Sequence, residues 1–141
     1  MKINLITTIL VSLFLLTSCD PDSCVDLEYN KDEKLTYQND ELYTGRCGIY
    51  SANGERVSIQ QYVNGKDHSK WIFYHENGKV KTQGKFNMGN REGKWSYYHD
   101  NGKIQQISHY NNGVRVKEWT GYDVEGNLLW TEKYDDGEII N

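Results

Sequence analysis

The stretch WIFYHENGKVKTQGKFNMGNREGKWSYYHDNGK, residues 71–103, opens and closes on the same phrase. Trp71, Tyr74, His75, Asn77, Gly78 and Lys79 return as Trp95, Tyr98, His99, Asn101, Gly102 and Lys103, each displaced by 24 residues. Outward from there, Gly54, Gly78, Gly102 and Gly126 keep the same step, as do Tyr50, Tyr74, Tyr98 and Tyr122. A second glycine series, Gly65, Gly89, Gly113 and Gly137, also keeps it, and each member follows an aromatic residue (Tyr62, Phe86, Tyr110, Tyr134). A fixed period of this kind marks a repeat array. Four units result, 47–70, 71–94, 95–118 and 119–141.

Within a unit the glycines lie 11 residues apart, and 13 separate them from the next unit. Each interval leaves room for a strand of about 6–8 residues. Five of the eight turns are Asn-Gly and one is Asp-Gly. Asn and Gly tolerate the positive φ of a type I′ turn, so Asn-Gly between strands predicts a tight hairpin. A parallel solenoid has no need of such frequent reversal. The fold expected is all-β, a single-layer twisted antiparallel meander of hairpin repeats with about ten strands. Alternation along a strand sends Trp71 and Phe73 to one face and Tyr74 to the other, and repeats this for Trp95, Tyr97 and Tyr98. By the same parity Val80, Ile104 and Leu128 share a face with Phe86, Tyr110 and Tyr134.

Residues 1–18 stand apart. Lys2 precedes the apolar run Ile3–Leu16, which is shorter than the roughly 20 residues of a membrane span and reads as a signal-peptide core. Leu16-Thr17-Ser18-Cys19 resembles the lipobox of bacterial lipoproteins. The resemblance implies cleavage before Cys19, a lipidated thiol there, and a place in the bacterial cell envelope on either leaflet. Residues 19–24, with the only proline (Pro21), read as a tether, and 25–46 as an acidic cap hairpin. In that hairpin Val25–Tyr29 and Lys34–Tyr37 alternate like strands around a turn at Asn30–Glu33. Being out of phase with the glycines suits a terminal unit that caps an array. Beyond the leader, 15 Lys and Arg oppose 20 Asp and Glu, which disfavours nucleic acid and direct lipid binding by the repeats. Cys24 and Cys47 remain an even pair, a disulfide or two free thiols.

The phrase aromatic-x-x-Tyr-x-x-Asn-Gly-Lys resembles the variant MORN (membrane occupation and recognition nexus) repeats. More specifically, the chain from Leu42 to Asn141 looks like the bacterial YwqK-family antitoxins, whose arrays open on a stretch like Leu42-Tyr43-Thr44-Gly45. Cys47 in place of Trp, Glu125 in place of Asn, and Lys117-Glu118 in place of Gly93-Lys94 depart from the pattern. The resemblance implies a non-enzymatic binding module with an antitoxin or immunity-like role, occupying a toxin-like protein. The alternative is a cell-surface adhesion or glycan-binding lipoprotein, with a surface glycan as partner.

No grouping of residues suggests catalysis, a cofactor or a metal. His75 and His99 recur because the template recurs, and Ser51 and Asp123 occupy the equivalent positions. A pair of carboxylates needs a desolvating pocket to act as acid and base, and a one-layer sheet offers none. The aromatic rows Trp71, Trp95, Trp119 and Tyr74, Tyr98, Tyr122 are the candidate partner-binding residues, since binding surfaces are enriched in Trp and Tyr. The same rings are also what a thin sheet needs for a core.

Overall fold

The structure, a computed structural model, describes residues 22–140. Cys19, its lipobox and the leader lie outside the described residues. The chain enters with β1 (Asp22–Ser23) and a 3-10 turn over Cys24–Asp26. A small three-stranded sheet follows, built from β2 (Leu27–Asn30), β3 (Leu35–Gln38) and β4 (Glu41–Leu42). The remaining strands form one antiparallel layer in chain order. They are β5 (Gly45–Tyr50), β6 (Arg56–Val63), β7 (Lys66–Asp67), β8 (Ser69–Tyr74), β9 (Val80–Asn87) and β10 (Asn90–Tyr98), then β11 (Ile104–Asn111), β12 (Val114–Arg115), β13 (Lys117–Tyr122), β14 (Leu128–Asp135) and β15 (Glu138–Ile140). β1 joins β5 in parallel at one end.

The described strands outnumber the ten expected, and two of the additional ones, β7 and β12, have a local reason. Ser69, Gly93 and Lys117 occupy one repeat position and all have left-handed backbone, with φ of 58°, 66° and 61°. Where glycine stands there, β10 runs on without a break. Where serine or lysine stands there, the strand arm divides into β7 and β8, or β12 and β13.

One face carries a continuous row of rings, Tyr43, Tyr62, Trp71, Phe86, Trp95, Tyr110, Trp119 and Tyr134. Successive centroids lie between 4.9 and 6.5 Å apart, in edge-on or tilted contact. Such pairs contribute about 0.5–1.5 kcal/mol each beyond area burial. The tryptophans are buried, at 8%, 1% and 6% exposure for Trp71, Trp95 and Trp119. A single layer achieves this because the rings cover one another and arginine stems close over them. The Arg91 guanidinium sits 4.5 Å from the Trp95 ring centroid and Arg115 sits 5.2 Å from Trp119. Each indole N–H donates to a carbonyl ten residues earlier: Trp71 to Gln61, Trp95 to Lys85 and Trp119 to His109. Trp95 also lies flat over Gly84, where an added Cβ would come within 2.1 Å of the ring. Glycine at 84 is therefore a packing requirement.

The parity argument holds along β8 and β10 and stops at the strand ends. Register shifts fall at Tyr50, Tyr74, Tyr98 and Tyr122, so Val80, Ile104 and Leu128 register with Tyr74, Tyr98 and Tyr122. A bulge of one residue resets the alternation there, and the face shared with Phe86, Tyr110 and Tyr134 does not extend to these positions by simple counting.

The turns also differ from expectation. Asn64-Gly65, Met88-Gly89, Asn112-Gly113 and Asp136-Gly137 have positive φ at both residues, the type I′ signature. At Gly54, Gly78, Gly102 and Gly126 only the glycine does. There the glycine N–H donates to the carbonyl three residues back, as Gly78 does to His75, and the hairpin closes between residues i and i+4, as His75 to Lys79. This is the three-residue loop, a type I turn with glycine in the left-handed position. Negative φ is compatible with any residue before that glycine, so Glu125 fits at no cost.

The small sheet caps the array at its first unit. Thr36 N–H donates to the Gly65 carbonyl and Gly65 N–H to the Tyr43 carbonyl, both at 2.8 Å. A Cβ at Gly65 would strike the Thr36 carbonyl oxygen at 2.8 Å. Cys24 and Cys47 form a disulfide across a separation of 23 residues, a loop whose closure contributes about 3 kcal/mol. Cys47, Tyr62 and Trp71 form the buried cluster beneath, with Leu27 and Tyr43 packed against it.

Candidate functional site

The repeated phrase Tyr-His-x-Asn-Gly-Lys lies on the three-residue loops, and its side chains bind each loop to the next. His75 donates through Nε2 to the Tyr98 carbonyl at 2.8 Å, and His99 likewise to Tyr122 at 3.0 Å. Asn77 donates to the Asp100 carbonyl and Asn101 to that of Val124. Lys79 and Lys103 reach the Asn101 and Glu125 carbonyls. Three side chains thus cross each of the two gaps that follow the Gly78 and Gly102 loops, which explains the motif without a ligand, whereas Ser51 and Asn53 bond within the Gly54 loop. In the fourth unit the histidine and lysine are replaced by Asp123 and Asn127. These close on each other instead, and the Asn127 side chain and backbone donors hold the Asp123 carboxyl below its usual range. Among the described residues no group of three His, Cys, Asp or Glu comes together to hold a metal.

The two candidate aromatic rows have different surroundings. Trp71, Trp95 and Trp119 are inside the ring row and serve as core. Tyr74, Tyr98 and Tyr122 occupy the other face and are half-buried. Tyr98 is oriented by Gln83, whose Nε2 donates to its hydroxyl at 2.8 Å. What remains available for a partner is this tyrosine face together with the loop margins.

Two features escaped the sequence reading. Arg91 donates to both the Tyr97 and Tyr110 hydroxyls at 3.0 Å while covering Trp95. Burial raises the Tyr97 hydroxyl above its ordinary pKa, and the guanidinium partly opposes this. In the first unit the equivalent position is Asp67, half-buried near the cap, where desolvation raises its carboxyl. The step of 24 between Arg91 and Arg115 was the available signal.

The second is a groove of about 520 Å³ on the tyrosine side, lined by Lys70, Gln83, Lys85, Lys94, Ser96 and Tyr98, with Gly84 and Gly93. Lys70 and Lys85 are direct cross-strand partners, and Lys94 lies on the next strand. Cross-strand pairing was the signal here, and it becomes readable only once the register is known.

Comparison with known proteins agrees with the geometry. Among curated proteins none matches the chain. Residues 67–88 and 91–112 match the MORN repeat variant, in two stretches that begin one structural period apart. The centre of this sheet is a pair of MORN-variant repeats, the framework of a repeat-based binding module.

Proposed function

We propose that the protein is a lipid-anchored, non-enzymatic binding module of the bacterial cell envelope that acts by occupying another protein, in the manner of an antitoxin or immunity protein. The observation that supports this reading is the division of the sheet: one face is consumed by the tryptophan row, while Tyr74, Tyr98 and Tyr122 stand at equal steps on the other. Evenly spaced, half-exposed tyrosines on a rigid layer suit a macromolecular partner, because binding energy concentrates in Tyr, Trp and Arg. The anchor rests on Leu16-Thr17-Ser18-Cys19.

Affinity capture with the intact anchored protein identifies the partner. Alanine at Tyr74, Tyr98 or Tyr122 is then expected to cost about 2 kcal/mol of affinity at a hot spot with little change in melting temperature. Alanine at Trp71, Trp95 or Trp119 unfolds the protein without altering the affinity of the folded fraction. If tyrosine variants bind as tightly as the parent, the face is not the docking surface. For the anchor, Cys19→Ser should accumulate unprocessed precursor, and an unmodified Cys19 thiol in the native protein would refute it. A second reading, a glycan-binding surface lipoprotein, is favoured by the lysine-lined groove.

A further inference from the structure

The groove between β8, β9 and β10 carries an arrangement that the fold does not need. Lys70 and Lys85 face each other in register, and like charges directly opposite destabilise a sheet. Lys94 adds a third ammonium on the adjoining strand. Among the described residues none of the three ammonium groups has an ion-pair or hydrogen-bond partner. Glu92 registers with Lys85, but its Oε2 instead accepts the Asn112 N–H at 2.8 Å. On the far side, His109 registers with Lys94 and donates through Nδ1 to the Glu118 carbonyl at 2.9 Å. The chain as a whole carries net charge −4, so this concentration of unpaired cations is local and against the general balance.

We infer that the Lys70–Lys85–Lys94 groove binds an acidic polysaccharide, a polymer with a carboxylate on successive sugars, lying across the strands. This rests on the glycan-binding reading above and names its ligand class. Neighbouring strands are about 4.8 Å apart, and the lysines stand on three successive strands, Lys70 opposite Lys85 and Lys94 two residues along β10 from Lys85's partner Glu92, so a chain of charged sugars crossing the strands meets a cation on each. Gln83, Ser96 and the Tyr98 ring and hydroxyl stand among them. These supply what a sugar requires besides charge, amide and hydroxyl partners for neutral hydroxyls and a ring face for its C–H groups. Polyphosphates and lipid headgroups have less use for those groups. The groove is open rather than enclosed, which suits a chain passing through it better than a small molecule buried within it.

The test measures binding of the folded protein to polygalacturonate at low salt by calorimetry. Neutral dextran, polyglutamate, single-stranded DNA and phosphatidylglycerol vesicles serve as comparisons. Polygalacturonate should bind and dextran should not, with the other anions weaker by about tenfold or more. The triple variant Lys70→Gln, Lys85→Gln, Lys94→Gln should lose about tenfold, the summed effect of three surface ion pairs. Its melting temperature should hold or rise as the repulsion is relieved. A charge-matched control, Lys31→Gln, Lys66→Gln, Lys81→Gln, should stay within about twofold. Tyr98→Ala should weaken polygalacturonate binding more than polyglutamate binding. Absence of polygalacturonate binding, equal loss in the two triple variants, or equal binding of polyglutamate, DNA or vesicles would each overturn the inference. If polygalacturonate fails while a captured protein still binds through the tyrosines, the groove assignment falls and the binding module stands.

Discussion

The two long margins of the sheet are built from nearly the same dipeptides and held by different means. Along one margin run the three-residue loops at Gly54, Gly78, Gly102 and Gly126, of which the last three are joined loop to loop by histidine, asparagine and lysine side chains. Along the other run the type I′ turns at Gly65, Gly89, Gly113 and Gly137, all joined by the same backbone bond, with side-chain contacts that change from unit to unit, Thr44 to Asn64, His68 to Met88 and Glu92 to Asn112. There each glycine N–H donates to the carbonyl of Tyr43, Asp67, Arg91 or Arg115 in the preceding arm. A link made by side chains demands residue identity, and the two loops that make it, at Gly78 and Gly102, share histidine, asparagine and lysine at the same positions. A margin held by backbone demands conformation, so it admits Met88 and Asp136 provided φ turns positive. Sequence repetition and structural repetition are different quantities here.

Proline separates the margins most sharply. Glu76 is the second residue of a type I turn, where proline's fixed φ is favoured, and its N–H takes no part in the loop's hydrogen bonds. Glu76→Pro should fall within about 1 kcal/mol of the parent in denaturant unfolding. Asn112 has φ of 46° and its N–H donates to Glu92. Asn112→Pro must lose both, and should cost about 3 kcal/mol or more. Similar costs for the two would mean that the turn types are not distinct.

A subtler exchange tests what each asparagine supplies. At Asn101, Oδ1 accepts the Lys103 N–H and Nδ2 donates to the Val124 carbonyl. Asn101→Asp keeps the first contact and sets a carboxylate against a carbonyl in the second, an expected cost of about 1–2 kcal/mol. At Asn112 the side chain accepts from Asn90 through Oδ1, which aspartate does as well, and Asp136 already occupies the equivalent turn. Asn112→Asp should change unfolding free energy by less than about 0.5 kcal/mol.

This contrast also marks what could be read from the sequence. The meander, the hairpin positions and the separation of tryptophans from tyrosines follow from glycine spacing and parity, because both depend on neighbours along the chain. The two turn types do not, since Asn-Gly satisfies either, and Glu125 before Gly126 is the one residue that speaks for negative φ. The roles of His75, His99, Lys79 and Lys103 were legible as repetition but not as cross-links, because their partners lie 22 or 23 residues away. The lysine groove required the register of β8, β9 and β10, with its irregularity between Glu92 and Ser96. Parity failed at Val80, Ile104 and Leu128 because a one-residue bulge leaves no sign in composition.

If conformation is what the second margin requires, residues ill suited to it should be improvable. Lys117 holds φ of 61° at the position where Gly93 holds 66°. Relief of a left-handed lysine is worth about 1–2 kcal/mol, offset by the greater chain entropy of glycine. Lys117→Gly should therefore gain about 1 kcal/mol or slightly less and let β12 and β13 join as β10 does. Unchanged or reduced stability would show that the lysine side chain contributes something the backbone account omits.

Met88 gives the finest form of the same test. It opens a type I′ turn at φ of 48°, where the other three units place Asn64, Asn112 and Asp136. Its side chain is 39% exposed, so little packing is lost on replacement, and its N–H faces His68 Nδ1 at 3.4 Å whatever the side chain. Asparagine tolerates the left-handed region better than methionine without being free of its cost, so Met88→Asn should recover only about 0.5 kcal/mol. That is a rise of a few degrees in melting temperature for a chain of this size. The same change at Glu125, on the other margin, meets negative φ and should give no gain. A rise at both positions would point to a general effect of asparagine in loops, whereas a rise at Met88 alone ties the stabilisation to backbone conformation.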